Sequence, residues 1–186
     1  MSGLEREVNK RVLPPAEIEI SDGRVHCRRF ADIYHPPAAA AAARAVFVDG
    51  NDLAARFARA SGNFTVAELG FGLGVNFLAT VQLWREVAPD QARLHYLAVE
   101  GFPAGRAQIK KAHAALGCDP LMSGWLIERL PARWPGWHHV DCGGRISLTL
   151  IYQDAADALA DADFAADAWF LDGFAPACNP HMWEKQ

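Results

Sequence analysis

The sequence contains no apolar run near the roughly 18 residues that a membrane-spanning helix needs. Its start, Met1 to Pro15, is too polar to read as a secretory signal. Neither charge sign dominates: 18 Lys and Arg stand against 22 Asp and Glu, for a net charge of -4. That balance excludes a strongly cationic RNA-coating module and leaves room only for local basic patches. Cysteine is sparse, and Cys27, Cys118, Cys142 and Cys178 lie far apart. They fit free thiols in a reducing cytosol better than a disulfide framework. Together these absences lead to the expectation of a cytoplasmic chain with no membrane partner. What is present suits one globular domain: 186 residues, 51% of them apolar, enough for a sizeable core.

Residues 16–29 read as a hairpin, with Ile18, Ile20 and Val25 flanking the Asp22–Gly23 turn. Pro36–Pro37 stop any strand, and Ala38–Ala43 follow as a short helix. Leu53 to Arg59 reads as a helix. From residue 63 onward, apolar strands at Phe64–Leu69, Leu94–Val99, Ile146–Ile151 and Asp167–Leu171 alternate with helical stretches. The helices expected are 77–87, 104–116, 121–130 and 155–159. Residues 131–145, with prolines, paired histidines and Gly143–Gly144, read as a turn-rich insert. Such alternation predicts right-handed βαβ units and a mainly parallel sheet. Ligands of such sheets sit beyond the carboxyl ends of the strands. Glu68, Gly70, Glu100, Asp154 and Asp172 all fall there. The expected division is an amino-terminal extension over residues 1–60, carrying the hairpin and short helices, and a core over residues 61–186.

Gly70, Gly72 and Gly74 form a G-x-G-x-G loop between the first core strand and its helix. The dinucleotide fingerprint is G-x-G-x-x-G, so the spacing is wrong for a pyrophosphate, and no G-K-[ST] follows for a nucleoside triphosphate. Glu68 before the loop would repel phosphate but can orient an ammonium. Glu100 at the next strand end can accept two ribose hydroxyls. A ligand with an amino-acid end and a nucleoside end suits both, and S-adenosylmethionine has that shape. The plain alternative is a loop that only turns the chain, with Glu100 as a solvated cap. Asp154 before an alanine run reads, on its own residues, as an N-cap.

The last strand delivers Asp172 to the rim, followed by Gly173, the flat ring of Phe174 and two stiffening prolines. An amine or base held against Phe174 would face the Asp172 carboxylate, which can aim it and offset developing positive charge. The plain alternative is a structural turn. His138, His139 and Cys142 lack the second ligand pair that a zinc site requires, so no metal is expected. Trp125, Trp134 and Trp137 read as packing, and Arg28–Arg29 and Lys110–Lys111 with Arg106 as solvated faces.

Residues 66–79, VAELGFGLGVNFLA, and 168–183, AWFLDGFAPACNPHMW, resemble the cofactor loop and catalytic loop of the bacterial MnmC family. Asp32–Ile33–Tyr34 and residues 46–53 resemble its lead-in, so the likeness runs from about residue 16 to residue 183. The resemblance implies a class I S-adenosylmethionine-dependent methyltransferase, Rossmann-like, acting on the 5-aminomethyl group of (2-thio)uridine at the tRNA wobble position. It implies that Gly70, Gly72 and Gly74 cradle the methionine end of the cofactor, with Glu68 helping to orient it. Glu100 would hold the ribose and Asp154 the adenine, in place of a mere cap. Tyr34 would close over the methyl region, and Asp172, Gly173 and Phe174 would form the amine site. Larger members carry a flavin-dependent oxidoreductase domain, which is expected here as a separate or missing partner.

Two departures bear on that expectation. Cys178 stands where many relatives have lysine, which would weaken a tRNA phosphate contact and spare the chemistry. The chain ends at Gln186, whereas class I sheets have about three more strands, so the expected sheet is truncated after its fourth strand with that strand as an open edge. Methyl transfer to another small amine or base, or cofactor binding without turnover, are the alternatives.

Overall fold

The computed structural model describes residues 12–36 and 38–183. Three short strands come first: β1 (Ile18–Ser21), β2 (Arg24–Cys27) and β3 (Asp32–His35). They form an antiparallel sheet in chain order. The hairpin expected at 16–29 therefore gains a third strand, which ends just before the Pro pair. A short helix α1 (Ala39–Ala43) runs directly into a wider π-helical segment, Arg44–Asp49, so the apolar stretch Val46–Val48 is helical. Helix α2 (Leu53–Ala58) buries Leu53 and Phe57.

The main sheet has five strands: β4 (Asn63–Leu69), β5 (Arg93–Val99), β6 (Gly136–Gly143), β7 (Ile146–Tyr152) and β8 (Ala168–Leu171). Their order across the sheet is β6-β7-β5-β4-β8. Four strands are parallel, as the alternation of strands and helices requires, and β6 alone is antiparallel. β6 lies in the segment read as a turn-rich insert. Its prolines precede the strand, and Gly143–Gly144 are its turn into β7. Alternating intermediate and exposed positions mark it as an edge, with one neighbour to pair with.

Helices α3 (Val75–Val87), α4 (Arg106–Leu116) and α5 (Pro120–Arg129) follow β4 and β5, and α6 (Ala155–Asp161) follows β7. α3 buries Phe77, Val81 and Trp84 at helical spacing against the sheet. Phe57 meets Phe64 and Trp84 edge to face, each at 4.9 Å, and Phe77 meets Tyr96 at 5.0 Å. α5 starts at Pro120 with Asp119 as N-cap, whose Oδ1 accepts from the Met122 N–H at 2.8 Å. The opposite face carries a smaller cluster of Leu69, Leu97, Val99 and Ile151 under Ala158 of α6.

Candidate active site

Parallel register decides where the site lies. Leu69 of β4 pairs with Val99 of β5 and Leu171 of β8, and Val99 pairs with Ile151 of β7. All four strands therefore finish on one rung, and Gly70, Glu100 and Asp172 leave the sheet side by side. The chain winds outward from β4 through β5 to β7, then returns to place β8 on the other side of β4. That reversal opens a crevice between the loops after β4 and β8.

A cavity of about 360 Å³ occupies the crevice. Of the residues singled out from the sequence, Tyr34, Gly70, Gly72, Glu100, Asp154, Asp172, Gly173 and Phe174 line it. Glu68 and Gly74 do not: Glu68 is 1% exposed, beneath the cavity floor. A Cβ on Gly74 would come within 2.8 Å of Leu126 and Phe71, so that glycine lets α5 pack against the loop.

Gly70 ties the two functional loops together. Its φ of +93° lies in the region that disfavours any side chain, and a Cβ there would sit 2.6 Å from the Asp172 carbonyl oxygen. Its N–H donates to the Val99 carbonyl at 3.0 Å. The loop is also held from below. Burial keeps His113 of α4 below its ordinary pKa, hence neutral at pH 7. Its Nε2 faces the Leu73 carbonyl at 2.9 Å and its Nδ1 the Ser123 hydroxyl at 2.8 Å. A carbonyl can only accept, so the proton sits on Nε2 and Nδ1 accepts from serine.

The Glu100 carboxylate accepts the Gly72 N–H on Oε2 and the Phe102 N–H on Oε1, each at 2.7 Å. Each oxygen keeps a second lone pair. Burial raises its pKa, and the two backbone donors oppose that rise. Asp154 serves as the N-cap of α6, with Oδ1 accepting from the Ala156 N–H at 2.9 Å, and it also lines the cavity. The cap uses one oxygen and leaves the other to the cavity side, 3.8 Å from His181 Nε2. Asp172 accepts on Oδ2 from the Asn76 side-chain amide at 2.7 Å. Burial raises Asp172 to about 6, with the Asn76 bond opposing.

Four wall or anchoring residues escaped the sequence reading. Phe30, from the β2–β3 connection, packs at 4.9 Å on Phe174 and meets Phe102 at 5.5 Å, with Tyr34 closing on Phe174 at 5.1 Å. Asp32 anchors the loop after β8 by accepting the Ala175 N–H on Oδ2 at 2.9 Å. Asn76 and His113 act from beneath. Asp32 and Asn76 stood inside quoted motifs, but partners 143 and 96 residues away leave no local signal.

The donor set suits a cationic nucleoside. Asp32, Glu100, Asp154 and Asp172 line the cavity against Arg29 as the single permanent cation among its lining residues, and His35, lowered by burial to about 4, is neutral. Glu100 keeps free lone pairs for a diol. At Gly72 a Cβ would rest against the Tyr34 ring at 3.4 Å, so the bare backbone leaves the space under Tyr34 to a ligand.

Residues 122–186 match the family described as S-adenosyl-L-methionine-dependent methyltransferase. The chain is 40% identical over 165 residues to the tRNA 5-methylaminomethyl-2-thiouridine biosynthesis bifunctional protein MnmC of Magnetococcus marinus, covering 88% of this chain. The protein of that name from Marinobacter nauticus is 42% identical over 179 residues, 92% of this chain. Along most of its length the chain is thus similar to part of the MnmC proteins. It spans about a quarter of the length of these two relatives, 25% and 28% respectively. The crystal structure of MNMC2 from Aquifex aeolicus superposes with a TM-score of 0.64 at 21% identity, covering 98% of this chain and 60% of that one. The fold of this chain is accordingly the Rossmann-like sheet of an S-adenosyl-L-methionine-dependent methyltransferase. No helix among its described residues is long and apolar enough to cross a membrane.

Proposed function

We propose that the chain methylates the 5-aminomethyl group of (2-thio)uridine at the tRNA wobble position, using S-adenosyl-L-methionine, in the cytoplasm. One observation carries the reading. The glycine loop and the Asp172 loop meet backbone to backbone at Gly70, so a nucleoside held at Glu100 and an amine held at Asp172 share one cavity. The sequence division fits this role: an extension over 1–60 lends Phe30, Asp32 and Tyr34 to the wall of a core over 61–186.

When bound, S-adenosyl-L-methionine supplies an electrophilic methyl group. Glu100 would accept both ribose hydroxyls on its free lone pairs. Asp154 would receive the adenine amino group, and Tyr34 would cover the methyl region. Asp172, with Oδ2 already held by Asn76, has Oδ1 left to accept a hydrogen bond from the substrate amine. With its pKa near 6, Asp172 is mainly a carboxylate at pH 7. It would aim the neutral amine and offset the positive charge that grows on nitrogen. Phe174 and Phe30 provide apolar faces for the base. The primary amine must be produced by a preceding reaction, which we assign to a flavin-dependent oxidoreductase acting as partner.

The test combines two measurements on the purified chain. Nucleoside mass spectrometry after incubation with tRNA carrying 5-aminomethyl-2-thiouridine should show one added methyl group at that base. Calorimetry should show that Asp172→Ala still binds S-adenosyl-L-methionine while transfer is lost. Methylation of some other nucleoside, or undiminished transfer by the variant, overturns the assignment. Cofactor binding with no transfer by the wild-type chain would favour a non-catalytic binding fragment.

A further inference from the structure

Beneath the cavity floor lies a polar cluster that reaches Asp172 from behind. The Asn76 side-chain amide, in the first turn of α3, donates to Glu68 Oε1 at 2.8 Å and to Asp172 Oδ2 at 2.7 Å. One amide thus bridges two carboxyl groups from different strands. Both of its hydrogens are used, so it cannot serve a third acceptor. Asn76 is 2% exposed and is fixed by its helix, where its carbonyl also accepts from the Thr80 hydroxyl at 2.8 Å. Glu68 Oε2, Asn76 Oδ1 and the Tyr96 hydroxyl are buried without regular hydrogen-bond partners.

We propose that Glu68 is held as a neutral carboxylic acid and that Asn76 is a positioning residue, its amide fixing the Asp172 carboxylate so that the two bridged acids carry one negative charge. This rests on the reading of Asp172 as the amine site. The geometry favours the proton on Glu68. An ionised Glu68 would leave Oε2 as an anionic oxygen in the interior with the Tyr96 hydroxyl as its single neighbouring donor, beside a second carboxylate across one amide. A protonated Oε2 can still pair with the neighbouring Tyr96 hydroxyl, as donor, so the neutral form loses no partner and buries no charge. The groups acting on Glu68 are Asp172 from the end of β8, Asn76 from α3, Tyr96 from β5 and Glu100 from the end of β5, none of them a cation. Burial and the Asp172 charge push Glu68 well above its ordinary value, over the opposing hydrogen bonds from Asn76 and Tyr96. Asp172, by contrast, faces the cavity and keeps its charge for the substrate.

Asn76 then has two effects. It aims Oδ1 of Asp172 into the cavity, and its bond restrains the rise of the Asp172 pKa. Carbon-13 NMR on the full chain with carboxyl-labelled glutamate reads the first half of the proposal without any methyl transfer. One glutamate signal should keep the protonated position from pH 5 to pH 8 and vanish in Glu68→Gln. A signal at the carboxylate position throughout overturns the proton assignment, whether or not the chain methylates tRNA. For the second half, Asn76→Ala should move the acid limb of the kcat profile up by about one pH unit. It should lower kcat at pH 7 about tenfold, with the KM for S-adenosyl-L-methionine within about twofold of wild type. An unmoved acid limb refutes the positioning role. Where Asn76→Ala does not fold, carbon-13 aspartate titration of the wild-type chain decides it: Asp172 should titrate above the other aspartates, and a position among them refutes the arrangement.

Discussion

Replacing Asp172 by asparagine should stabilise the protein, and by an amount that depends on pH. The introduced side chain can still accept the Asn76 amide on its carbonyl oxygen, so the 2.7 Å bond that holds Asp172 Oδ2 has a replacement. What the variant removes is a charge in a poorly solvated place. Burial moves the Asp172 pKa from 3.8 in the unfolded chain to about 6 in the folded one. Between those values the native state binds more protons than the unfolded state, so wild-type stability falls as pH rises through that window. At about 1.4 kcal/mol per pH unit, the full difference is worth about 3 kcal/mol above pH 7 and only about 0.6 kcal/mol at pH 4. Urea unfolding of both proteins across pH 4 to 8 reads this directly. The Asp172→Asn variant should gain on wild type as pH rises and melt roughly 6–12 °C higher at pH 8. It should also lose methyl transfer, the usual exchange of activity for stability at a charged site. A variant no more stable than wild type at pH 8, with the same difference at pH 4, would refute the placement of Asp172 in a desolvated wall.

Three further outcomes follow from single contacts. Gly70→Ala places a Cβ 2.6 Å from a backbone oxygen at a positive φ and should cost about 3 kcal/mol in urea unfolding, with loss of cofactor binding; a neutral result would mean the loops do not touch. Glu100→Gln removes the charge from an acceptor of two backbone N–H groups and should weaken S-adenosyl-L-methionine binding about ten- to hundredfold by calorimetry, whereas unchanged affinity would remove Glu100 from the nucleoside site. Asp154→Ala deletes the α6 cap and should cost about 1 kcal/mol of stability in urea unfolding, while Asp154→Ser should restore the cap and not the calorimetric affinity for an adenine nucleoside.

The parallel core was legible because buried strands and helices differ in length and punctuation. Phe64–Leu69 and Leu94–Val99 are mainly apolar stretches, interrupted by Thr65, Glu68 and His95 and bounded by glycine or charge, and both are strands to within a residue or so. Strand β6 was illegible for the opposite reason. Its residues, Trp137 to Cys142, alternate weakly, and flanking prolines and glycines outweighed them. Strand β3 is only four residues, and antiparallel pairing with β2 defines it rather than its own pattern. At the site, positions at strand ends could be read from the order of elements, since parallel register brings such ends together. Burial could not be read that way. Glu68 and Glu100 occupy similar places in the sequence, at or just after the end of a strand before a loop, yet one lies under the floor and the other on the wall.

That last difference bears on how the cavity handles charge. Methyl transfer from sulfonium to amine moves a positive charge from the cofactor side of the crevice to the Asp172 side. Stabilisation that counts is the kind that grows during this movement. In the proposed reaction Glu100 and Asp154 would face the ribose and adenine, whose charge does not change, so they would serve binding. Asp172 would face the nitrogen that becomes cationic, and its attraction would strengthen as the reaction proceeds. A second full charge at Glu68, shared through the same Asn76 amide, would raise the Asp172 pKa further and empty that carboxylate near neutral pH. Keeping Glu68 neutral therefore keeps Asp172 ionised at the pH where a neutral amine is also available. The floor acid and the wall acid are of one chemical type, and depth alone separates an acid that holds its proton from one that gives it up.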